Sequence, residues 1–532
     1  MRDLFANAAL GLAMRTLGRK AHDDLLRQAA DPQAAQAKAL RAILAANANT
    51  EQGRRFGLAA IGNASAFCEA VPIRDYEDIR PLIDRQIATG ALALAPEKPI
   101  MYARSSGTTG AAKYVPVTPG VLAQLRTSQR AMAYVQHRAL RAFSGRIVGL
   151  GGSSREETLA DGTPAGATTG LIYETMPRFM RAKYVVPPEV FGIADYGEKY
   201  ATIARLAACA DDVSVIATAN PSTVLRLMAV VRANLSEIAS HASPARAKAL
   251  QALAIQTRAV TVRDVWPGLR AVVTWLGGGC AIAAEAVRTQ LPPGAQMVDA
   301  GYVASEVRGT IVIDVARNLA LPLLGDVFFE FTPVSEWEAG ERKTKLLHEL
   351  EEGAEYHVIV TTTAGLLRYH MNDVVRAKGR IGQTPALQFV RKGRGVTNIT
   401  GEKLSEDQVH AAMASLPAPP IFFIVVADAR DAVYRAFMQA EGDGPAMAAK
   451  IDAHLCRANL EYEAKRASGR LAPLEVRLLK PGVSDAYHRH CVETKKQREA
   501  QAKVLALQTV EEFDFDFGPF EAAHAPIASA RG

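Results

Sequence analysis

Four short apolar runs in the middle of the chain alternate with stretches of helical spacing, and this alternation most limits the fold. The runs are RIVGLGG, VSVIATA, RAVVTWLGGG and QMVDAGY, at residues 146–152, 213–219, 270–279 and 296–302. Strands that alternate with helices usually pair in parallel, because each connection crosses over the sheet. The pattern therefore predicts an α/β domain with a mainly parallel sheet.

The sequence changes its character twice after these runs. Between Gly309 and Val390 the strand-like segments follow one another closely, which is typical of antiparallel hairpins. Near residue 392 the sequence becomes rich in glycine and charged residues. Beyond it we expect a helix at 405–416, two strands, a helix at 446–467 and a strand at 474–480. A capping box of Ser405 and Gln408 begins the first of these helices.

These patterns predict two domains. The N-terminal domain, residues 1–392, is expected to contain mixed sheets with helices, and the small C-terminal domain, residues 393–532, to be α+β. The acidic and aromatic tail EEFDFDFGPF is expected to pack on a neighbouring part of the chain.

Charge and cysteine content limit the function. The 62 basic and 55 acidic residues give a formal charge of +7 over 532 residues, and no basic run is interleaved with aromatic residues. We therefore expect no nucleic-acid partner. Five scattered cysteines without a Cys-x-x-Cys pair are typical of a reducing compartment, and no apolar run reaches membrane-spanning length. We expect a cytoplasmic protein.

The stretch YARSSGTTGAAKYVP, residues 102–116, has the composition of an anion-binding loop. It joins small hydroxyl and glycine residues to one lysine: Ser105, Ser106, Gly107, Thr108, Thr109, Gly110 and Lys113. Glycine lets backbone N–H groups approach a ligand, hydroxyls add donors, and lysine adds a positive charge. Polyphosphate would suit this loop, and the alternative is a flexible surface loop.

The spacing of this loop separates it from three common motifs. A Walker loop needs four residues between its glycines, whereas two separate Gly107 from Gly110. Neither the dinucleotide fingerprint Gly-x-Gly-x-x-Gly nor the nucleophile elbow Gly-x-Ser-x-Gly is present here. The order Ser-Ser-Gly-Thr-Thr-Gly-x-x-Lys instead resembles the phosphate loop of adenylate-forming enzymes, which grips the β- and γ-phosphates of ATP.

Three further segments carry candidate site residues. In GYVASEVRGT, Tyr302 could stack on a purine and Glu306 could hold Mg²⁺, although a turn with a surface glutamate would look the same. In LLRYHMNDVV, Asp373 could accept hydrogen bonds from the ribose hydroxyls or be a hairpin residue. In WLGGGC, Gly278 and Gly279 admit a flat ring or a ribose against the backbone, but a tight turn is as good an explanation.

Taken in order, the segments SSGTTGAAK, YVASE and YHMND resemble the motifs of the GH3 acyl-acid amido synthetases, a branch of the adenylate-forming superfamily. The likeness extends to ANANTEQGRRFGL, WPGLRAVVTWLGGG, GVTNITGEKLSEDQV and REAQAKVLAL. It implies an adenylate-forming enzyme fold with a mobile C-terminal domain. It also implies ATP and Mg²⁺ as cofactors.

The resemblance implies a role for each candidate residue. Ser105 to Gly110 and Lys113 would hold the phosphates, Glu306 would hold Mg²⁺, and Lys503 would be the catalytic lysine of the C-terminal domain. The remaining nucleotide-binding residues would be Gly278, Gly279, Tyr302, Ser305, Asp373 and Lys392.

The implied reaction joins two small molecules. A carboxylic acid would be activated as an acyl-adenylate with pyrophosphate release, and the acyl group would pass to an amine such as an amino acid. No obligate protein partner is implied. Two alternatives stay open. An acyl-CoA ligase would use the same adenylate, and a nucleotide-binding homologue with weak or no catalysis would explain His370 and Asn372, which replace the arginine and glycine of the family's third motif.

Overall fold

The computed structural model describes residues 2–106, 112–193, 195–277, 280–393, 396–420, 422–484, 486–487, 490 and 506–521. The chain divides into two compact units. One comprises Met1–Ser105 and Ala112–Gly393, and the other includes Arg394–Gly532.

The described helices are mostly short, and we number them in chain order. They are α1 Arg2–Ala13, α2 Arg19–Ala30, α3 Pro32–Asn47, α4 Glu51–Arg55, α5 Ala64–Ala70, α6 Tyr76–Thr89, α7 Pro119–Leu140, α8 Thr168–Glu174, α9 Arg178–Arg181, α10 Tyr196–Cys209, α11 Ser222–Ala233, α12 Leu235–Ser240, α13 Pro244–Ala254, α14 Val262–Val265, α15 Ala281–Arg288, α16 Val334–Glu338, α17 Glu406–Ala414, α18 Gly444–Ala458 and α19 Leu460–Ala467. A π-helical turn, Met14–Gly18, joins α1 to α2, and 3₁₀ turns lie at Leu58–Ala60, Pro188–Gly192, Leu347–Glu349 and Gly518–Phe520.

The described strands are numbered in the same way. They are β1 Met101–Ser106, β2 Ala112–Val117, β3 Arg146–Gly149, β4 Glu157–Thr158, β5 Pro164–Gly166, β6 Val213–Ala217, β7 Ala271–Thr274, β8 Gln296–Asp299, β9 Thr310–Asp314, β10 Leu319–Pro322, β11 Val327–Pro333, β12 Lys345–Leu346, β13 Glu355–Thr362, β14 Tyr369–Ile381, β15 Thr384–Lys392, β16 Val396–Thr397, β17 Leu404–Ser405, β18 Phe422–Asp428, β19 Val433–Gln439, β20 Glu475–Leu478 and β21 Leu507–Thr509.

The four apolar runs form one parallel sheet, as the sequence predicts. Its order is β3-β6-β7-β8, and every pair of neighbours is parallel. Both faces are covered, so the strands are almost wholly buried, and Trp266 packs in the helical layer with its Nε1 donating to the carbonyls of Ala207 and Ala210. The carboxyl ends of β7 and β8 lie side by side, because Thr274 pairs with Asp299.

The predicted hairpins form a second sheet in the same unit. Its order is β12-β11-β13-β14-β15, and its pairs are antiparallel. Phe329 and Phe331 of β11 and the valines of β13 lie in one buried core with residues of α2 and α6. A third sheet, β2-β1-β5-β4, contains the two strands that flank the phosphate-loop segment. The α/β prediction for this part of the chain is confirmed.

The second unit has the predicted α+β composition, with one correction. The sheet β20-β19-β18-β21 is covered by α17, α18 and α19, and Ser405 and Gln408 form the predicted capping box. The helix predicted at 446–467 is two helices. Asn459 separates them, because its side chain accepts hydrogen bonds from the amides of Glu461 and Tyr462 and so begins a new helix.

The aromatic tail packs within this unit, as expected. Phe513, Phe515 and Phe517 lie in one cluster with Phe422 and Tyr487. Among the described residues, no helix combines the length and the apolarity that crossing a membrane requires.

Candidate active site

The turn after β8 positions Tyr302, and its geometry depends on Gly301. Gly301 has φ +81°, and a Cβ atom there would lie 2.7 Å from the carbonyl oxygen of Thr310. Only glycine adopts this conformation without a clash. The amide of Tyr302 donates to the Thr310 hydroxyl at 2.8 Å, and the Tyr302 carbonyl accepts from Gly309 at 2.8 Å. The ring of Tyr302 is therefore fixed at the carboxyl edge of the parallel sheet.

Asp373 reaches the same place from the antiparallel sheet. Between the pairs His357–Val374 and Ile359–His370, β13 advances two residues and β14 advances four, so residues 371–373 form a bulge. A bulge redirects the side chains of its strand. The Tyr302 hydroxyl donates to Oδ2 of Asp373 at 2.6 Å, and both side chains are buried. Residues 71 positions apart in the sequence thus form one hydrogen-bonded pair.

Glu306 lies in the same turn as Tyr302 and is partly exposed. The hydroxyl of Tyr369 is 3.5 Å from its Oε1, which is the outer limit of a hydrogen bond. Burial, and then the neighbouring carboxylates Asp373 and Glu306 respectively, raise the pKa of Tyr302 and of Tyr369 well above the ordinary tyrosine value. The site therefore combines two carboxylates with two tyrosines that are neutral at physiological pH.

Lys113 extends this group of residues towards the phosphate-loop segment. Its Nζ lies 5.1 Å from the centroid of the Tyr76 ring, a cation–π distance. The Tyr76 hydroxyl accepts the amide N–H of Tyr114 at 2.7 Å, and Tyr76 packs in the same buried cluster as Tyr369. Tyr76 thus connects the lysine to the tyrosine that contacts Glu306.

Glu157 on β4 joins the two strands that flank the loop segment. The Tyr114 hydroxyl donates to its Oε1 at 2.6 Å, and Nε of Arg104 lies 3.3 Å from the same atom. Because Arg104 is on β1 and Tyr114 on β2, the Glu157 carboxylate contacts a side chain of each strand. Sequence reasoning missed these residues. Arg104 directly precedes the loop, but Glu157 lies 53 positions after Arg104, so nothing in the sequence joined them.

A cavity of about 150 Å³ adjoins this site within the first unit. One face of α7 lines it, at Val121, Gln124, Leu125, Ser128 and Gln129, which have the spacing of a single helical stripe. The opposite wall is the turn at 303–308, which includes Ser305 and Glu306. A cavity beside strand ends is the usual position of a ligand in α/β proteins.

Three family models match the chain. They are the GH3 family N-terminal domain over residues 21–241, the GH3 family central domain over residues 321–392 and the GH3 family C-terminal domain over residues 407–512. The chain belongs to the GH3 family.

Individual relatives agree with this assignment. The probable indole-3-acetic acid-amido synthetase GH3.12 of Oryza sativa subsp. japonica is 26% identical over 458 residues, which cover 73% of this GH3 chain and 73% of the relative. Among solved structures, the AtGH3.15 acyl acid amido synthetase in complex with 2,4-DB has a TM-score of 0.65 at 20% identity, covering 92% of this chain and 94% of the other.

A CoA ligase has a related fold. The 2-hydroxyisobutyryl-CoA ligase in complex with 2-HIB-AMP and CoA has a TM-score of 0.55 at 15% identity and covers 91% of this chain and 92% of its own. The two structural likenesses confirm the predicted adenylate-forming enzyme fold.

Several predicted GH3 site residues lie outside the described residues: Gly107, Thr108, Thr109, Gly110, Gly278, Gly279 and Lys503. The side chains of Ser105, Ser106 and Lys392 are likewise outside the described part, although their backbone lies in β1 and β15. Lys392 pairs with Asp373 in the β14–β15 register. The structure brings together Tyr302, Ser305, Glu306 and Asp373, with Lys113 linked to them through Tyr76.

The two departures in the third GH3 motif have structural explanations. Asn372 has φ +51°, in the left-handed region, where asparagine is the best substitute for glycine. His370 stacks on Trp337 with 4.0 Å between ring centroids, and its Nε2 is 3.2 Å from Nδ1 of His357. The asparagine keeps the backbone form that a glycine would give, and the histidine belongs to an aromatic group on β13, β14 and α16.

Proposed function

We propose that this GH3 protein activates a carboxylic acid with ATP, releases pyrophosphate, and transfers the acyl group from the acyl-adenylate to an amine, namely an amino acid. The observation that carries the proposal is the Tyr302–Asp373 pair beside Glu306, at strand ends that border a cavity. The family assignment supports the same reaction, since GH3 relatives carry names such as indole-3-acetic acid-amido synthetase.

The nucleotide would be held by residues of three elements. Asp373 would accept hydrogen bonds from the ribose hydroxyls, and the Tyr302 hydroxyl holds that carboxylate in position. We propose that Tyr302 borders the adenine. Ser305, Gly278, Gly279 and Lys392 would complete this pocket, and the loop from Ser105 to Gly110 with Lys113 would bind the phosphates through backbone N–H groups, hydroxyls and one cation.

The donor set around Glu306 fits Mg²⁺. This ion is usually held by one or two carboxylates together with substrate phosphates and water. Glu306 is partly exposed and offers one carboxylate, and the described residues contain no group of three or more potential ligand side chains. Glu306 would therefore hold the ion jointly with the phosphates. When bound, Mg²⁺ would neutralise charge on the phosphate oxygens.

The protein would act by positioning and electrostatics. The substrate carboxylate would attack the α-phosphate in line, and Lys113 would stabilise the charge that grows on the leaving pyrophosphate. Lys503, in a domain over residues 393–532 that we propose to be mobile relative to residues 1–392, would contact the α-phosphate. Losing one such contact typically lowers the rate by about 10²–10³. An amine would then attack the acyl carbon, form the amide and displace AMP, so no nucleophile of the protein is required.

A CoA ligase is the second candidate, and its related fold motivates it. It differs only in the acceptor, since a thiol would replace the amine. A nucleotide-binding homologue without catalysis has less support, because Asn372 keeps the left-handed backbone and His370 packs in a separate aromatic group.

The test is a carboxylic-acid library screened for pyrophosphate release, with mixed amino acids, with CoA or with neither. We expect release with at least one acid, and an amide rather than a thioester by mass spectrometry. Asp373→Asn should lower kcat/KM for ATP by about 10- to 100-fold, whereas Asp314→Asn, on an exposed pair with Arg317, should not. Failure of every acid to cause release, with ATP still bound, would refute the proposal.

The cellular location is also a proposal. Cys68, Cys209 and Cys456 are free thiols, which suits a reducing compartment such as the cytoplasm.

A further inference from the structure

The charged residues of the cavity suggest what kind of acid it accepts. Among the described residues that line it, three carry a charge at neutral pH: Glu306, Arg308 and Asp326. The remaining lining residues are apolar, hydroxyl or amide side chains. A charged group at a cavity wall usually marks a polar group of the ligand, because such pockets are otherwise apolar.

Arg308 has little to bind within the protein. Its Nη2 is 3.1 Å from the thioether sulfur of Met132, which is a weak acceptor. Its Nε is buried and has no hydrogen-bond acceptor among the described residues. The residue as a whole is only partly buried and faces the cavity. A guanidinium has five N–H donors, so this contact leaves most of its donors for a ligand.

The side chains of Arg308 and Glu306 contact different elements of the fold. Glu306 contacts Tyr369 on β14, whereas the guanidinium of Arg308 reaches α7 at Met132. Met132 lies three positions after Gln129, the last residue of α7 in the cavity wall, so the guanidinium reaches the helix about one turn beyond that wall. Burial alone lowers the pKa of Arg308 to about 10, and no carboxylate of the described residues offsets this. The arginine is therefore charged at neutral pH.

Asp326 needs a ligand of opposite charge less than Arg308 does. Burial raises the pKa of its carboxyl to about 6, so this group can lose its charge by taking up a proton. A guanidinium cannot be neutralised in this way. The unpaired cation is therefore the feature of the cavity that most needs a partner.

We propose that the acid activated by this protein carries a second anionic group, and that Arg308 binds it. The reacting carboxylate lies at the Glu306 end, where adenylation is proposed, and the second group, such as the distal carboxylate of a dicarboxylic acid, pairs with the guanidinium. Arginine matches a carboxylate with two parallel hydrogen bonds. This inference rests on the proposed function.

The test compares matched acids. Pyrophosphate release is measured with butanedioate to octanedioate, with the corresponding monocarboxylates, and with the corresponding ω-amino acids. The wild-type protein should prefer the dicarboxylate of one length by about 10- to 100-fold in kcat/KM, the usual strength of a charge-assisted hydrogen bond. Arg308→Met should abolish that preference. Arg130→Met, on an exposed position of α7 outside the cavity, should keep it.

Two further readouts separate this inference from the proposed function. Calorimetric titration with the same acids measures binding without turnover. If no acid supports pyrophosphate release but the wild-type protein binds the dicarboxylate and Arg308→Met does not, the proposed function fails and the anion site stands. The inference is overturned if the wild-type protein shows no preference for dicarboxylates, if Arg308→Met keeps it, if ω-amino acids are preferred, or if no acid binds. Arg308→Met should also raise Tm, since it removes an unpaired cation, and this confirms that the variant folds.

Discussion

Replacing Tyr302 with phenylalanine removes one hydroxyl and tests how the site is held together. That hydroxyl donates to Oδ2 of Asp373 at 2.6 Å, with Tyr302 4% and Asp373 1% exposed. A hydrogen bond to a charged group contributes about 1.5–3 kcal/mol, and a buried acceptor that loses its donor is not rescued by water. We expect the free energy of unfolding to fall by about 2 kcal/mol.

The same change should weaken nucleotide binding. Without the hydroxyl, the Asp373 carboxylate is no longer oriented for the ribose, and we expect the KM for ATP to rise about tenfold, equivalent to ~1.4 kcal/mol. Pyrophosphate release gives the KM. Urea denaturation gives the stability, and because the chain has two compact units, hydrogen exchange of the amides of β13 and β14 identifies the transition of the first unit.

Tyr462→Phe is the matched control. The Tyr462 hydroxyl donates to Oδ1 of Asp452 at 2.7 Å, and Tyr462 is fully buried in the second unit. This variant should lose stability in that unit and leave the KM for ATP unchanged. The reasoning would be refuted if Tyr302→Phe changed neither stability nor KM, or if both variants raised the KM equally.

Three other substitutions test separate features. Gly301→Ala should lower the free energy of unfolding of the first unit, measured in urea, by several kcal/mol. The control Gly162→Ala, at a residue with φ +80° but open space around it, should lower it by only about 1 kcal/mol. Equal losses would mean that the close contact at Gly301 is unimportant. Arg368→Met leaves the buried Glu330 carboxylate without its 2.8 Å partner and should lower the free energy of unfolding by about 3–5 kcal/mol. Adding Glu330→Gln in a double variant should restore part of that stability. No recovery would argue against a charge effect. Burial raises the pKa of Asp326 to about 6 in the folded state, against about 3.9 in the unfolded state. The stability that Asp326 contributes should therefore fall by about 2–3 kcal/mol as pH rises from 4 to 6, and then stay constant. Asp326→Asn should remove this slope from the pH dependence of the unfolding free energy.

Local sequence signals predicted most of the fold. The parallel sheet and the hairpins follow from the spacing of apolar residues, which reports burial on one or both faces directly. The capping box at Ser405 was also visible, because its partners are three residues apart. The break at Asn459 was not, since its side chain also donates to the distant Glu402 carbonyl at 2.9 Å.

The strand β21 was missed for a similar reason. It has three residues, and it is ordered by parallel pairing with β18, more than 80 positions earlier in the chain. Neither length nor alternation marks so short a strand in a sequence.

The sequence identified single residues of the site but not their partners. Tyr302, Glu306 and Asp373 stood in motifs, whereas the hydrogen bond between Tyr302 and Asp373 depends on the bulge in β14. Arg308 had no signal of its own, because an isolated arginine two residues after Glu306 looks like a surface residue until the α7 wall is seen opposite it.

A crystal structure with ATP and Mg²⁺ tests the central claim most directly. The account predicts the ribose hydroxyls within hydrogen-bond distance of Asp373, the triphosphate between the Ser105–Lys113 segment and Glu306, and the α-phosphate facing the cavity beside α7. Nucleotide bound elsewhere on the chain, or a ribose remote from Asp373, would contradict it.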